Sequence, residues 1–297
     1  MFTKTIKPIS DFAANKSLAV IDIGSNSVRI RISAGQNVLY RDTVTTQLSK
    51  GMTDGILSYS AINRTLDGLS QLFSAAKNHN AEVHAFATAA VRNSKNGGEF
   101  TRLVREKFGV DIDVVSGERE SELGIIGALG GADGTVLDVG GASSEIAVCT
   151  HGKIVYKHSL AIGAVTLTDL CGKDSEKTLN TLDELIQEYG KVPCDGTLYL
   201  IGGTATSLAF MLYGDRVYDR EKNHGRIISR DRLQELTGKL FVLSKQDIIN
   251  EYKIKPERAD IIHSGALIIL SVMEYLGKTS AVVSENDNLE GYAKFYE

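Results

Sequence analysis

The feature that most constrains this chain is an internal echo. Ala19 to Arg29 reads AVIDIGSNSVR, and Val136 to Glu145 reads VLDVGGASSE. In each, apolar residues run into an aspartate, Asp22 or Asp138, then into a turn of small residues. A second apolar stretch follows, Val28 to Ile32 in the first copy and Ile146 to Val148 in the second. That pattern reads strand, turn, strand. The aspartates lie a domain-sized interval apart, far beyond the roughly 20–50 residues of a solenoid repeat, so a duplicated domain core is implied. A chain of 297 residues exceeds a comfortable single core, and two domains of about 130–160 residues are the natural division. The segment GALGGADG reads as a flexible connection, which places the boundary near Gly130 and divides the chain into 1–130 and 131–297. A cleft between the two halves is expected.

The segments around the echo alternate in period. Ala61 to Lys77 carries Ile62, Leu66, Leu69, Phe73 and Ala76 at helical spacing. Val83 to Ala87 and Ile112 to Val115 read as strands handing over to helices, the alternation of an α/β domain. In the second half Leu198 to Ile201 is a strand entering GGTATS and a helix through Leu212, and Ala281 to Ser284 is another strand. Between them the pattern predicts one long helix, with Pro256 in its first turn, a broad apolar face from Ile261 to Leu276, and Gly277 as its stop.

Composition removes several classes of function. A formal net charge of -4 excludes a broad basic surface for nucleic acid. The longest apolar run, Ala266 to Leu270, is too short to cross a bilayer, and the opening MFTKTIKPISDF lacks the apolar centre of a signal peptide. Cys149, Cys171 and Cys194 are odd in number and share no close metal-ligand spacing, which fits a reducing cytoplasm. Gly277-Lys278-Thr279 resembles the tail of a Walker loop, but position 272 is Val and the segment ends a helix instead of opening one.

The turn Gly24-Ser25-Asn26-Ser27 has the composition of a phosphate loop, since backbone N–H groups and short hydroxyls solvate phosphate oxygens without bulk. Asp22, at the strand end before it, is placed to hold a hydrated cation against those oxygens. The alternative is a hairpin turn rich in turn-formers. Recurrence at Gly140-Gly141-Ala142-Ser143-Ser144 after Asp138 favours phosphate, because two facing loops clamp one phosphate chain. A third glycine turn, Gly202-Gly203-Thr204, lies between a strand and a helix, where its amides can face an anion, although such turns use glycine in any case.

Six ordered segments carry a resemblance to the exopolyphosphatase/guanosine pentaphosphate phosphohydrolase family. They are DIGSNSVR from Asp22, TAAVR from Thr88, VSGERES from Val115, LDVGGASSE from Leu137, IGGTATSLA from Ile201 and RADIIHSGALIIL from Arg258. The chain is similar to the short form of that family, without its additional C-terminal domains. The resemblance implies a duplicated actin-like, ribonuclease H-like α/β ATPase fold, with inorganic polyphosphate or guanosine pentaphosphate in the interdomain cleft. It further implies Glu120 as catalytic base, Arg92 as the phosphate-binding arginine, Glu145 as a second acid and runner-up base, and Mg²⁺ or Mn²⁺ on Asp138 together with Asp22. Relatives often form homodimers, which no stretch here marks, and the short apolar runs leave no membrane partner expected.

Departures from the family pattern set limits. Adjacent glutamates before an alanine become Arg119-Glu120-Ser121, so a slip in the alignment makes Glu118 or Glu122 the base instead. Ala142 stands where the family has glycine, and Ser284 to Gly291 loses an arginine. Arg216, Arg220, Lys222, Arg226, Arg230 and Arg232 form a local basic cluster, read either as a path for a polyphosphate tail or as a solvated face. Two other readings stay open: an ATP-dependent small-molecule kinase of the same fold, and a non-catalytic polyphosphate or alarmone sensor.

Overall fold

The computed structural model describes residues 17–297; the opening segment discussed above lies outside the described residues. The first half begins with a three-stranded meander, β1 (Ser17–Ile23), β2 (Ser27–Ala34) and β3 (Asn37–Thr45). Then come α1 (Tyr59–Asn78), β4 (Ala81–Ala87), α2 (Ala89–Arg92), α3 (Gly97–Phe108), β5 (Ile112–Val114) and α4 (Gly117–Leu129). The second half opens with the same meander, β6 (Gly134–Val139), β7 (Ser144–Thr150) and β8 (Lys153–Leu160), followed by α5 (Ala164–Cys171) and α6 (Ser175–Leu185). Next are β9 (Leu198–Ile201), α7 (Gly202–Tyr213), α8 (Arg220–Asn223), β10 (Ile227–Ser229), α9 (Arg230–Val242) and α10 (Lys245–Tyr252). The chain closes with α11 (Pro256–Ala259), α12 (Ile262–Tyr275), β11 (Ser280–Val283) and α13 (Asn288–Ala293).

The two sheets have the orders β3-β2-β1-β4-β5 and β8-β7-β6-β9-β11-β10. In both, an antiparallel meander is extended by a strand parallel to its first member, β4 beside β1 and β9 beside β6. The echo in sequence is therefore an echo in topology, and the fold is the duplicated actin-like α/β arrangement. β1 and β6 read as unbroken apolar runs because each lies mid-sheet with both faces covered. Leu137, Val139 and Ile146 face the large core that also takes in α7 and α12. Their alternate neighbours Val136 and Ala147 pack with Ile125 of α4.

α1 begins at Ser58, whose hydroxyl accepts a hydrogen bond from the Ala61 N–H, and it buries Ile62, Leu66, Leu69 and Leu72 against the first sheet. The expected long helix from Pro256 is in fact two. Ile261, at φ -123° and ψ -8°, breaks the ladder between α11 and α12, while Pro256 keeps its place in the first turn of α11.

The helices α4 and α13 exchange sides. α4 follows the first sheet in sequence yet lies against β6, β7 and β8, and α13 follows the second sheet yet packs on β1 and β2. Val20 and Phe86 of the first sheet share a cluster with Leu123 of α4 and with Leu289 and Tyr292 of α13. The two helices also pack on each other, so both sheets are tied at the base of the cleft.

Candidate active site

The hairpin turn at 24–27 is closed by a hydrogen bond from the Gly24 N–H to the Ser27 carbonyl at 3.0 Å. Its counterpart repeats this bond, Gly140 N–H to Ser143 carbonyl, also at 3.0 Å. In each loop the carbonyls are taken up from behind. Those of Ser25 and Asn26 accept from Ser49, Thr46 and Gln47, and those of Gly140 and Gly141 accept from Ala164, Val165 and Thr166. The N–H groups of Ser25, Asn26, Gly141 and Ala142 form no hydrogen bond to another described residue. Such amides are anion-binding concavities. The loops face one another closely: a Cβ at Gly141 would stand 2.8 Å from the Ser25 Cβ and 3.3 Å from the Asn26 nitrogen.

Both loops open on a cavity of about 670 Å³ between the sheets. Asp22, Gly24, Ser25, Asn26, Ser27 and Glu120 line it from the first half. Asp138, Gly140, Gly141, Ser143 and Gly203 line it from the second. Four expected site residues stand behind this surface. Arg92 donates from Nη1 to Glu120 Oε2 and to the Val115 carbonyl, both at 2.9 Å, so it grips the carboxylate from the rear. Glu145 accepts from the Ser159 hydroxyl at 2.7 Å. Ser144 Oγ accepts from the Tyr189 hydroxyl, and Thr204 Oγ1 donates to the Val139 carbonyl; both are buried struts of the second loop.

Burial and mutual repulsion dominate the electrostatics. Burial pushes Glu120 up to about 7 against the opposing pull of Arg92. Asp138 rises to about 8, through burial first and then the nearby Asp287 and Glu120 charges. Glu145 is also raised well above the ordinary carboxylate range, by burial and by Glu120 and Asp138. Asp22 is raised less freely, because Arg29 offsets part of the burial effect. A set of carboxyls forced together in this way is a mark of a functional site.

Among the described residues no three His, Cys, Asp or Glu side chains converge as a ready-made metal cage. The donors nonetheless fit Mg²⁺ or Mn²⁺. Asp22 Oδ1 is buried with no hydrogen-bond partner, Asp138 faces the same cavity, and all the donors are hard oxygens. A cation held by one or two carboxylates and completed by phosphate oxygens and water needs no larger protein cage.

The profile of the Ppx/GppA phosphatase family matches residues 28–292. The chain belongs to the Ppx/GppA phosphatase family. It is thus an enzyme of the phosphoanhydride-hydrolysing class. It is 29% identical over 310 residues to exopolyphosphatase 2 of Mycobacterium tuberculosis, covering 93% of this chain and 97% of that protein. It is also 29% identical over 321 residues to a bifunctional 3-dehydroquinate synthase/phosphatase of Fusobacterium nucleatum. That match covers 96% of this chain, which spans 47% of the relative's length. The crystal structure of the Aquifex aeolicus Ppx/GppA family member superposes with a TM-score of 0.77 at 27% identity, over 95% of this chain and 97% of that one.

This Ppx/GppA chain departs from the family pattern at points the structure now locates. Arg119 pairs with Glu122 at 3.0 Å and stacks over the Phe295 ring, and among the described residues its side chain forms no ion pair with Glu120. The Ala142 methyl is buried and does not line the cavity. Of the basic cluster, Arg216 and Arg220 line the cavity; Arg226 pairs with Asp215, and Arg232 stacks on Tyr213.

The sequence reading missed four residues. Arg29 bridges Asp22 and Asp287. Its pairing with Asp22 was findable, because a hairpin turning at 24–27 sets Asp22 opposite Arg29 across the strands. Asn288 donates to Asp138 Oδ2 at 2.8 Å, and no local pattern announces that contact. Arg258 lines the cavity beside Gly203, where a Cβ would stand 2.3 Å from its Nη2. Burial and the Arg29 charge lower Arg258 to about 10, with no carboxylate among the influences on it.

Proposed function

We propose that this chain removes the terminal phosphate of inorganic polyphosphate in a reaction dependent on Mg²⁺ or Mn²⁺, with guanosine pentaphosphate as a second substrate of the same chemistry. The observation that carries this reading is Glu120. Its buried carboxyl is gripped from behind by Arg92 and faces the space between two phosphate loops. A proton acceptor poised near 7 is matched to a water nucleophile at neutral pH.

The amides of Ser25, Asn26 and Gly141 hold the oxygens of the terminal phosphate, and Arg258 meets the phosphates behind it. Glu120 takes the proton of the attacking water as its oxygen bonds to the terminal phosphorus, and the bridging oxygen leaves with the shortened chain. Asp22 and Asp138 would hold the cation, which when bound supplies neutralisation of phosphate charge. General-base catalysis contributes roughly 10²–10⁴ in rate, and positioning and electrostatics supply the rest. Glu145 is a weaker candidate base, because it does not line the cavity and stands behind it on Ser159.

Among the described residues no helix is long and apolar enough to cross a membrane. A cytoplasmic location accompanies the proposal, supported by three cysteines that form no disulfide.

The test is phosphate release from long-chain polyphosphate and from guanosine pentaphosphate, with Mg²⁺ and with EDTA. Release that requires the cation and falls roughly 10²–10⁴-fold in Glu120→Gln is expected. Parent-level activity in Glu120→Gln removes Glu120 as base. ATP consumption that appears only on adding a sugar or carboxylate acceptor replaces the hydrolase with a kinase.

A further inference from the structure

The two aspartates at the cavity are each held by a residue that neither loop contains. Asn288 Nδ2 donates to Asp138 Oδ2 at 2.8 Å, with both groups buried. Arg29 donates to Asp22 Oδ2 and to Asp287 Oδ2, and the other Asp287 oxygen accepts from the Leu289 N–H at 3.0 Å. Asp287 and Asn288 are consecutive, the N-cap and first residue of α13. One corner of the chain thus fixes an oxygen of the carboxylate from each half.

That corner is itself locked. The Asp287 N–H donates to Glu290 Oε2 at 2.9 Å in a capping box. α13 crosses α4 at two glycines with no room for a side chain: a Cβ at Gly127 would stand 1.9 Å from the Asp287 carbonyl oxygen, and one at Gly291 would stand 2.0 Å from that of Leu123. α4 is the helix that carries Glu120. On the far side, Gly202, at φ +80°, leaves only the space of a hydrogen beside Asp138 Oδ1.

We infer that the start of α13 is the positioning element of this site: Asn288 fixes one oxygen of Asp138, Asp287 acts on Asp22 through Arg29, and both aspartates are thereby registered to Glu120. Asn288 acts as a neutral donor and adds no positive charge beside Asp138, whereas a lysine or arginine there would compete with a cation for it. Outer partners of this kind typically change metal affinity 10–100-fold when removed. The inference rests on the cation-dependent reading of the site.

The test is Mn²⁺ binding followed by electron paramagnetic resonance on parent, Asn288→Leu, Asn288→Ala and Lys294→Ala, with phosphate release measured beside it. Asn288→Leu keeps the volume and removes the donor. Lys294→Ala removes the contact of the Lys294 ammonium with the Ile126 carbonyl, which ties α13 to α4 away from the aspartates. Both Asn288 variants are expected to weaken Mn²⁺ binding roughly tenfold. At saturating Mn²⁺ their KM for polyphosphate stays within about twofold, while Lys294→Ala binds Mn²⁺ as the parent does. Parent-like Mn²⁺ affinity in the folded Asn288 variants overturns the inference, as does an equal loss in Lys294→Ala, which would mark a general effect of helix docking. A parent that binds Mn²⁺ and releases no phosphate sinks the hydrolase reading alone. A parent that binds no Mn²⁺ overturns both.

Discussion

Asp22 and Asp138 occupy the same place in the two copies of one motif, each at the end of a first meander strand and just before a four-residue turn closed by the same hydrogen bond. Their surroundings differ. Asp22 lies across the hairpin from Arg29 and is ion-paired to it. Asp138 lies across its hairpin from Glu145, another acid, and its side chain is met by the neutral amide of Asn288. The two copies share their geometry and differ in the partner at one cross-strand position. One aspartate is compensated within the chain, while the other has no cationic partner among the described residues. Its carboxyl is pushed up to about 8 by burial and its neighbours, so that it holds a proton at neutral pH until a cation takes the proton's place. On the proposed reading, the aspartate without an ion-pair partner is the main holder of the cation.

That contrast can be broken experimentally, beginning with the largest effect. Asp138→Ala is expected to lower Mg²⁺-dependent phosphate release more than about 100-fold, beyond the usual cost of losing an outer partner. Asp22→Ala should cost less, because Arg29 keeps Asp287; equal losses would show that the two halves share the cation evenly. Next, Arg29→Gln leaves Asp22 and Asp287 buried without their cation. Breaking a buried pair from one side costs about 3–5 kcal/mol, readable in urea unfolding. A cost below about 1 kcal/mol would mean that Asp22 is no better compensated than Asp138.

The third effect is read in pH. The Asp138 carboxyl titrates near 8 when folded, against an ordinary value of 3.8. A raised folded value adds stability at low pH that is lost as pH climbs through it. In EDTA the parent should therefore lose stability relative to Asp138→Asn between about pH 4 and pH 8, and divalent cation should restore it at the upper end. Parallel urea midpoints for the two proteins across that range would contradict the assignment. The smallest effect belongs to Arg119→Ala. Arg119 is half-buried, pairs with Glu122 and covers Phe295. Its loss should cost less than about 1 kcal/mol and leave phosphate release within about twofold of the parent. A larger fall in activity would connect it to Glu120 after all.

Much of the fold was legible in sequence because its determinants are local. Apolar runs ending in Asp22 and Asp138, with small-residue turns behind them, are short-range patterns, and the meanders follow from them. The break between α11 and α12 was not legible, since Ile261 continues the apolar face of a helix whose backbone geometry it leaves. At the site, loop residues and Glu120 were recognisable by motif. Arg92 was as well, although its place behind Glu120 was not.

What the sequence determined by itself is therefore the duplicated strand–turn–strand core and the residues the loops bring forward. Only the tertiary structure decided that α4 and α13 exchange sheets, and so that Asp287 and Asn288 reach back to Asp22 and Asp138. Periodicity records that a helix face is buried, and it does not record against which sheet. A hydrogen bond between residues so distant in the chain leaves no local trace until the two surfaces have packed.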